Sequence, residues 1–145
     1  MESKERYNHL NTYYKNKFGE RTLKICISAG FTCPNRDGTL SNNGCIFCSR
    51  EGSGELIKFS NLNITKQVQS FLNSYRGKRA NKFIAYFQNF TNTYDSVLNL
   101  KAKYDSALID DKIIGLSVAT RPDCINKDIA NLLASYADKY HVSVE

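Results

Sequence analysis

Apolar residues recur along this chain at two alternating periods. Tyr7, Leu10, Tyr13, Tyr14 and Phe18 fall at helical spacing between Arg6 and Phe18, and Gly19 supplies a stop. Leu23, Ile25 and Ile27 then alternate with Lys24, Cys26 and Ser28, which predicts a strand. A helix follows from a cap at Thr65 to about Tyr75, with Val68, Phe71 and Leu72 on its buried side. The pattern repeats: a strand over Lys82–Phe87, a helix from Asp95 through Val97, Leu98, Leu100 and Tyr104, and a strand over Ile113–Ala119. The next helix opens at Asn126 or Asp128 and carries Ile129, Leu132, Leu133 and Tyr136, and His141–Glu145 begin a fourth strand.

Strands separated by helices imply right-handed βαβ units and a parallel sheet. The fold class is therefore α/β. A closed eight-unit barrel takes about 250 residues, whereas 145 residues hold three units and the start of a fourth. The expected architecture is a partial (β/α) TIM-like barrel, with residues 1–22 as a helical extension and 23–145 as the N-terminal part of a longer core domain. In such folds the loops after the strands build the active site. Here those loops are a cysteine loop, QNFTNTY and TRPD, and they are expected to converge.

Composition adds little to this picture. Hydrophobic residues make up 41% and charged residues 23%, ordinary values for a globular domain. The polar start, MESKERYNHL, has no secretory pattern, and no apolar stretch is long enough to cross a bilayer, so the expected setting is cytoplasmic with no membrane partner. Reduced thiols there turn five cysteines from a disulfide framework towards metal or redox chemistry. The formal charge of +6 is densest at Arg76, Lys78, Arg79 and Lys82, which reads either as a solvated surface or as an RNA footprint.

The chemistry concentrates in CPNRDGTLSNNGCIFC, which holds Cys33, Cys45 and Cys48. Three thiolates in one Gly/Asn-rich loop form a metal site that leaves one coordination position open, as an iron–sulfur centre for catalysis requires. Phe47, just before Cys48, is placed to shield such a cluster. The alternative is zinc, with Cys26 as a fourth thiolate, in an interaction module rather than an enzyme. Cys26 lies inside a predicted strand, however, and it and Cys124 read better as small core residues. His9 and His141 carry no functional signal.

The loop C-x11-C-x2-C, together with GSGE, IAYFQNFTNTY and GLSVATRPDC, resembles the radical S-adenosylmethionine (SAM) superfamily in its Elongator-like branch, of the YhcC/YtqA type. The resemblance implies that Cys33, Cys45 and Cys48 hold three irons of a [4Fe-4S] cluster whose fourth iron binds SAM. It implies reductive cleavage of SAM to a 5′-deoxyadenosyl radical, with the electron supplied by a flavodoxin- or ferredoxin-type donor. It also implies cofactor contacts from the loop after the second strand, at Gln88, Asn89, Thr91 and Asn92, although the common Gly-Gly-Glu form of that loop is absent. Arg121 and Asp123 are candidates for SAM or substrate contact, or for an internal ion pair at the turn. Gly52 and Gly54 either allow close backbone approach to the cofactor or only shape a turn. Glu145 matches the start of a segment on the ribose side of the SAM pocket. The branch and the basic balance favour RNA, with tRNA wobble-uridine modification as the specific form and a small-molecule or protein substrate as the alternative; a truncated, cluster-binding chain without catalysis is a further expectation.

Overall fold

The computed structural model describes residues 6–50, 52, 57 and 59–145. Four parallel strands form one sheet in the order β1 (Thr22–Ile27), β2 (Lys82–Phe87), β3 (Ile113–Val118) and β4 (His141–Val144). Parallel neighbours cannot be joined by a tight turn, so each pair needs a crossover. Helices α2 (Ile64–Asn73), α3 (Val97–Asp105) and α4 (Lys127–Ala137) supply them, and α1 (Leu10–Phe18) precedes the sheet. This is the element order that the hydrophobic periods predict.

Register gives the sheet two unlike faces. Ile25 and Ile27 align with Ala85 and Phe87, then Leu116 and Val118, then Val142 and Val144. All three crossover helices pack on this apolar side. Val68 is buried with it, Phe71 meets Phe83 edge-on, Tyr104 meets Phe87 edge-on, and Tyr136 meets Tyr104. A register shift between Phe83 and Ile84 puts Ile114 out of step, so that Ile113 still pairs with Phe83 while Gly115 pairs with Ile84. Without that bulge the remainder of β3 would present its opposite face, because side chains alternate with period two.

The other face carries Lys24, Tyr86, Ser117 and Ser143. Lys24 Nζ on β1 lies 2.6 Å from Glu145 Oε1, directly beyond β4. Strands stand about 4.8 Å apart, so a flat sheet would separate β1 from β4 by about 14 Å. The ion pair therefore shows a sheet curled towards its polar face. Helix α1 crosses the N-terminal end of that same face. Phe18 and Tyr13 contact His141 of β4, and Lys82 Nζ donates to Phe18 O at 2.6 Å.

The α1 stripe is only partly used. Tyr14 is buried, but Tyr7 precedes the helix and is 70% exposed, and Leu10 is also exposed. Gly19 ends α1 in the left-handed conformation with its N–H on Lys15 O. One expected cap shifts: Asn63, not Thr65, caps α2 by accepting from Lys66 N, whereas Thr65 Oγ1 donates to Ser106 O. The helix expected from Asp95 starts at Val97, with Ser96 as its cap. Asn126 caps α4 by accepting from Ile129 N. Among the described residues no helix is long and apolar enough to cross a membrane.

Two outcomes follow from this packing. Tyr104 is fully buried and its hydroxyl donates to Asn92 O at 2.7 Å. Tyr104→Phe keeps the ring but orphans a buried carbonyl, and should lower the unfolding free energy by about 1–3 kcal/mol in urea titrations. Burial pushes the Asp95 carboxyl up, but hydrogen bonds from Asn99, Lys103 and Ser96 N outweigh it and hold the group below the usual carboxylate range. Asp95 thus stabilises the fold fully above its unfolded pKa of about 3.9. That contribution disappears as pH falls through the lower folded value. The stability gap between wild type and Asp95→Asn should accordingly narrow in acid; a gap that does not change with pH would contradict it.

Candidate functional site

A cavity of about 470 Å³ opens at the C-terminal edge of the sheet. Such a volume lies within the usual range for small-molecule sites. Every strand contributes to it. The segment after β1 supplies Cys33, Asn35, Arg36, Cys45, Phe47, Cys48 and Gly52. Phe90 and Thr91 come from beyond β2, residues 119–122 from beyond β3, and Glu145 from beyond β4, while Tyr86 lies on the polar face of β2.

Backbone bonds fold the cysteine loop back on itself. Arg36 N and Asp37 N donate to Cys33 O, Leu40 N donates to Pro34 O, and Gly44 N donates to Asn35 O at 2.8 Å. Cys48 N donates to Cys45 O, closing a turn around the second cysteine pair. Arg36 then ties the two ends of the loop together: its guanidinium donates to Ser49 O and Arg50 O and lies over the Phe90 ring. Three cysteines that are twelve and three positions apart thereby line one cavity.

The cysteine surroundings differ. Burial would raise the Cys33 thiol, but hydrogen bonds from Thr91, Asn35 N–H and Arg121, with the Arg121 charge, hold it below the ordinary thiol range. Asn35 Nδ2 donates to Cys45 Sγ at 3.1 Å. Cys48 is pushed up by burial and by the neighbouring Cys45. Among the described residues no three His, Cys, Asp or Glu side chains converge closely enough to hold a single metal ion. All three thiols line the cavity, and the Cys45 and Cys48 side chains are in hydrogen-bond contact. Phe47 lines it but is 79% exposed, and so does not cover it.

The structure separates the polar candidates. Thr91 and Arg121 line the cavity; Gln88, Asn89, Asn92 and Asp123 do not. Asn92 is fully buried, and its Nδ2 donates to Ala119 O at 2.8 Å and to Phe90 O at 3.3 Å. Its position is that of a brace between two loops. Asn89 is buried, with Oδ1 unpartnered. Asp123 grips Arg121 in a two-pronged ion pair, Nε to Oδ1 at 2.9 Å and Nη2 to Oδ2 at 2.7 Å, which leaves Nη1 facing Cys33 Sγ at 3.6 Å. Gly54 lies outside the described residues. Cys26, half-buried on β1, and Cys124 are both outside the cavity.

Asn35, Arg36 and Tyr86 were not singled out by sequence reasoning. For the first two the signal was present: both are hydrogen-bond donors inside the cysteine loop. Tyr86 occupies a position that only the register puts on the cavity floor. Burial and the Glu145 charge raise its phenol to about 12, so it is a neutral donor at neutral pH.

The chain is 39% identical over 144 residues to "Uncharacterized protein YtqA" of Bacillus subtilis, covering 99% of this chain and 45% of that protein. It is 35% identical over 130 residues to "Protein YhcC" of Escherichia coli K12, covering 89% of this chain and 41% of the relative. A Methanocaldococcus jannaschii relative, "Uncharacterized protein MJ0486", is 35% identical over 128 residues, covering 87% and 38%. The chain spans under half the length of these curated relatives. No family model matches, and no solved structure matches.

Gly52 offers a direct test of the cavity wall. Its φ is +96°, and a Cβ there would stand 3.0 Å from Phe90 N. Gly52→Ala should destabilise the fold by about 1–3 kcal/mol, measurable as a lower denaturation midpoint with an unchanged denaturant slope. An unaffected midpoint would show that this backbone approach is not required.

Proposed function

We propose that this chain forms the N-terminal part of a radical SAM enzyme, with Cys33, Cys45 and Cys48 holding a [4Fe-4S] cluster and SAM completing the coordination. One observation carries the reading: the three cysteines line a single cavity at the C-terminal edge of a parallel sheet, where such folds build their sites. The chemistry of the donor set fits the group. Three thiols line a cavity with N–H donors from Asn35 and Arg121 and the Thr91 hydroxyl, which suits anionic sulfur ligands. A single zinc would draw its sulfurs to about 2.3 Å from one centre, and among the described residues no three such ligands form a single-metal site. Cys26, the fourth thiolate that zinc would need, is outside the cavity.

A [4Fe-4S] cluster held by Cys33, Cys45 and Cys48 would supply the one-electron chemistry for reductive cleavage of SAM. A flavodoxin- or ferredoxin-type reductant would supply the electron to such a cluster. The chain's own residues bind and orient. Arg36 holds the loop closed, Thr91 and Arg121 polarise Cys33, and Tyr86 and Glu145 present a donor and an acceptor on the cavity floor. The curl of the sheet towards Lys24 and Glu145 supports a partial barrel completed by further βα units.

The substrate we favour for test is tRNA. Arg76, Lys78 and Arg79 lie on or beside a 3-10 turn before β2, at the sheet edge opposite the cavity. Lys82 is committed to Phe18 O and Glu20. The patch would therefore grip phosphates far from a reacting base, with binding that weakens steeply with salt.

Anaerobic reconstitution should give about four irons per chain. Cys33→Ala, Cys45→Ala and Cys48→Ala should each abolish the cluster, while Cys26→Ala and Cys124→Ala retain it. Dithionite-reduced protein should release 5′-deoxyadenosine from SAM. Stoichiometric zinc without iron would overturn the proposal.

A further inference from the structure

We propose that Asn35 and Arg121 are positioning residues that donate N–H bonds to the Cys45 and Cys33 sulfurs and thereby raise the reduction potential of the cluster. This rests on the cluster-binding reading above. Neither residue is a ligand, and neither contact follows from the cysteine spacing.

Each donor is fixed from behind, which separates a built contact from a chance one. The backbone of Asn35 is pinned by Gly44 N on its carbonyl, at 2.8 Å, within the folded cysteine loop. Its amide is left to face Cys45 Sγ at 3.1 Å. A thiolate repels the amide oxygen and attracts the NH2, so the donating orientation is the one charge selects. Arg121 is held by both carboxylate oxygens of Asp123. That clamp spends Nε and Nη2 and leaves Nη1 directed at Cys33 Sγ, 3.6 Å away, from a loop 88 residues further along the chain. Cys48 has no such nitrogen donor among the described residues; its neighbours are the Cys45 thiol and the charge of Arg36.

An N–H bond to a cluster sulfur stabilises negative charge on it. The reduced cluster carries one more electron than the oxidised one, so the bond is stronger in the reduced state and the potential rises. Removing the donor should make the cluster harder to reduce without removing a ligand. Two donors on two different sulfurs, from two different loops, should act nearly independently.

The experiment is a mediator-controlled redox titration of the anaerobically reconstituted chain, following the electron paramagnetic resonance signal of the reduced cluster. Asn35→Ala and Arg121→Ala should each lower the reduced-to-oxidised ratio at fixed applied potential by about tenfold, equivalent to about 59 mV for a one-electron couple. Asn35→Asp, which replaces the donor with a charged acceptor of the same shape, should lower it further. Arg121→Lys, which keeps a charged donor, should fall between Arg121→Ala and wild type. Where an Ala variant fails to load iron, the Asp and Lys variants carry the comparison. Iron-loaded variants that titrate within about twofold of wild type would overturn the inference while leaving the cluster-binding reading intact. A wild-type chain that takes up no iron would instead overturn the reading beneath it, and the inference with it.

Discussion

The site depends on how the ends of a parallel sheet are sewn together. Beyond the last ladder bond of each strand, backbone N–H and C=O groups must find partners or pay for their burial. Here they find one another across loops. Thr91 N donates to Thr32 O, joining the segments after β1 and β2. Asn92 donates to Ala119 O through both its backbone N–H and its side-chain amide, joining those after β2 and β3. The Thr93 and Thr120 hydroxyls meet at 2.6 Å, and Thr120 N donates to Glu145 O, which carries the seam to the end of β4. Tyr104 reaches up from the core to bond Asn92 O, so the seam is anchored in the apolar layer below. The cavity is the space these stitches leave open, and the cysteine loop is laid against its rim.

The two faces of the sheet divide the work. The apolar face spends its side chains on α2, α3 and α4, and supplies the burial that holds a short chain folded. The polar face gathers Lys24, Tyr86, Ser117, Ser143 and Glu145 into one hydrogen-bonded group under the cavity. Burial works against the Glu145 carboxylate, yet bonds from Lys24 and Ser117 outweigh it and keep the group ionised. Lys24 also lies 4.1 Å over the Tyr86 ring, which positions it between β1 and the far edge of the sheet. One cation thus offsets the cost of a partly buried carboxylate and marks the direction in which the sheet curls.

Much of this was legible in the sequence because it is written in periods. The strands over Lys82–Phe87 and Ile113–Val118 lie within the predicted runs, since alternation or a short β-branched run bounded by polar residues has few other readings. The three cysteines were legible because thiols that close in sequence have few bland explanations. The rest depends on three-dimensional neighbours. The Tyr7–Leu10 end of the first stripe has the right spacing but meets no partner surface, so it stays exposed. Asn63 displaced Thr65 as the cap of α2 because capping is decided by which oxygen faces a free N–H, and neighbouring candidates look alike in sequence. Within QNFTNTY, polarity alone could not tell that Thr91 faces the cavity while Asn92 bonds the Ala119 carbonyl just beyond β3. The bulge at Ile114, which decides what the remainder of β3 presents to each layer, left no mark that periodicity could read.

Arg121 and Asp123 form an internal ion pair, and Arg121 also reaches the cavity. An exposed ion pair two residues apart contributes little to stability, because solvent screens it and ordering its side chains costs entropy. Asp123 is half exposed, so the pair does not earn its place as a brace. Its geometry has a different consequence. By occupying two of the guanidinium nitrogens, the carboxylate removes the freedom Arg121 would have to swing into solvent, and the remaining N–H is held on the cavity side against Cys33. The acidic partner also tempers the positive charge reaching the sulfur, so what arrives is chiefly a directed donor. A lone arginine would offer a mobile charge. The clamped one offers a fixed hydrogen bond, and a fixed bond is what can distinguish two charge states of a neighbouring group by energy and not merely by attraction at a distance.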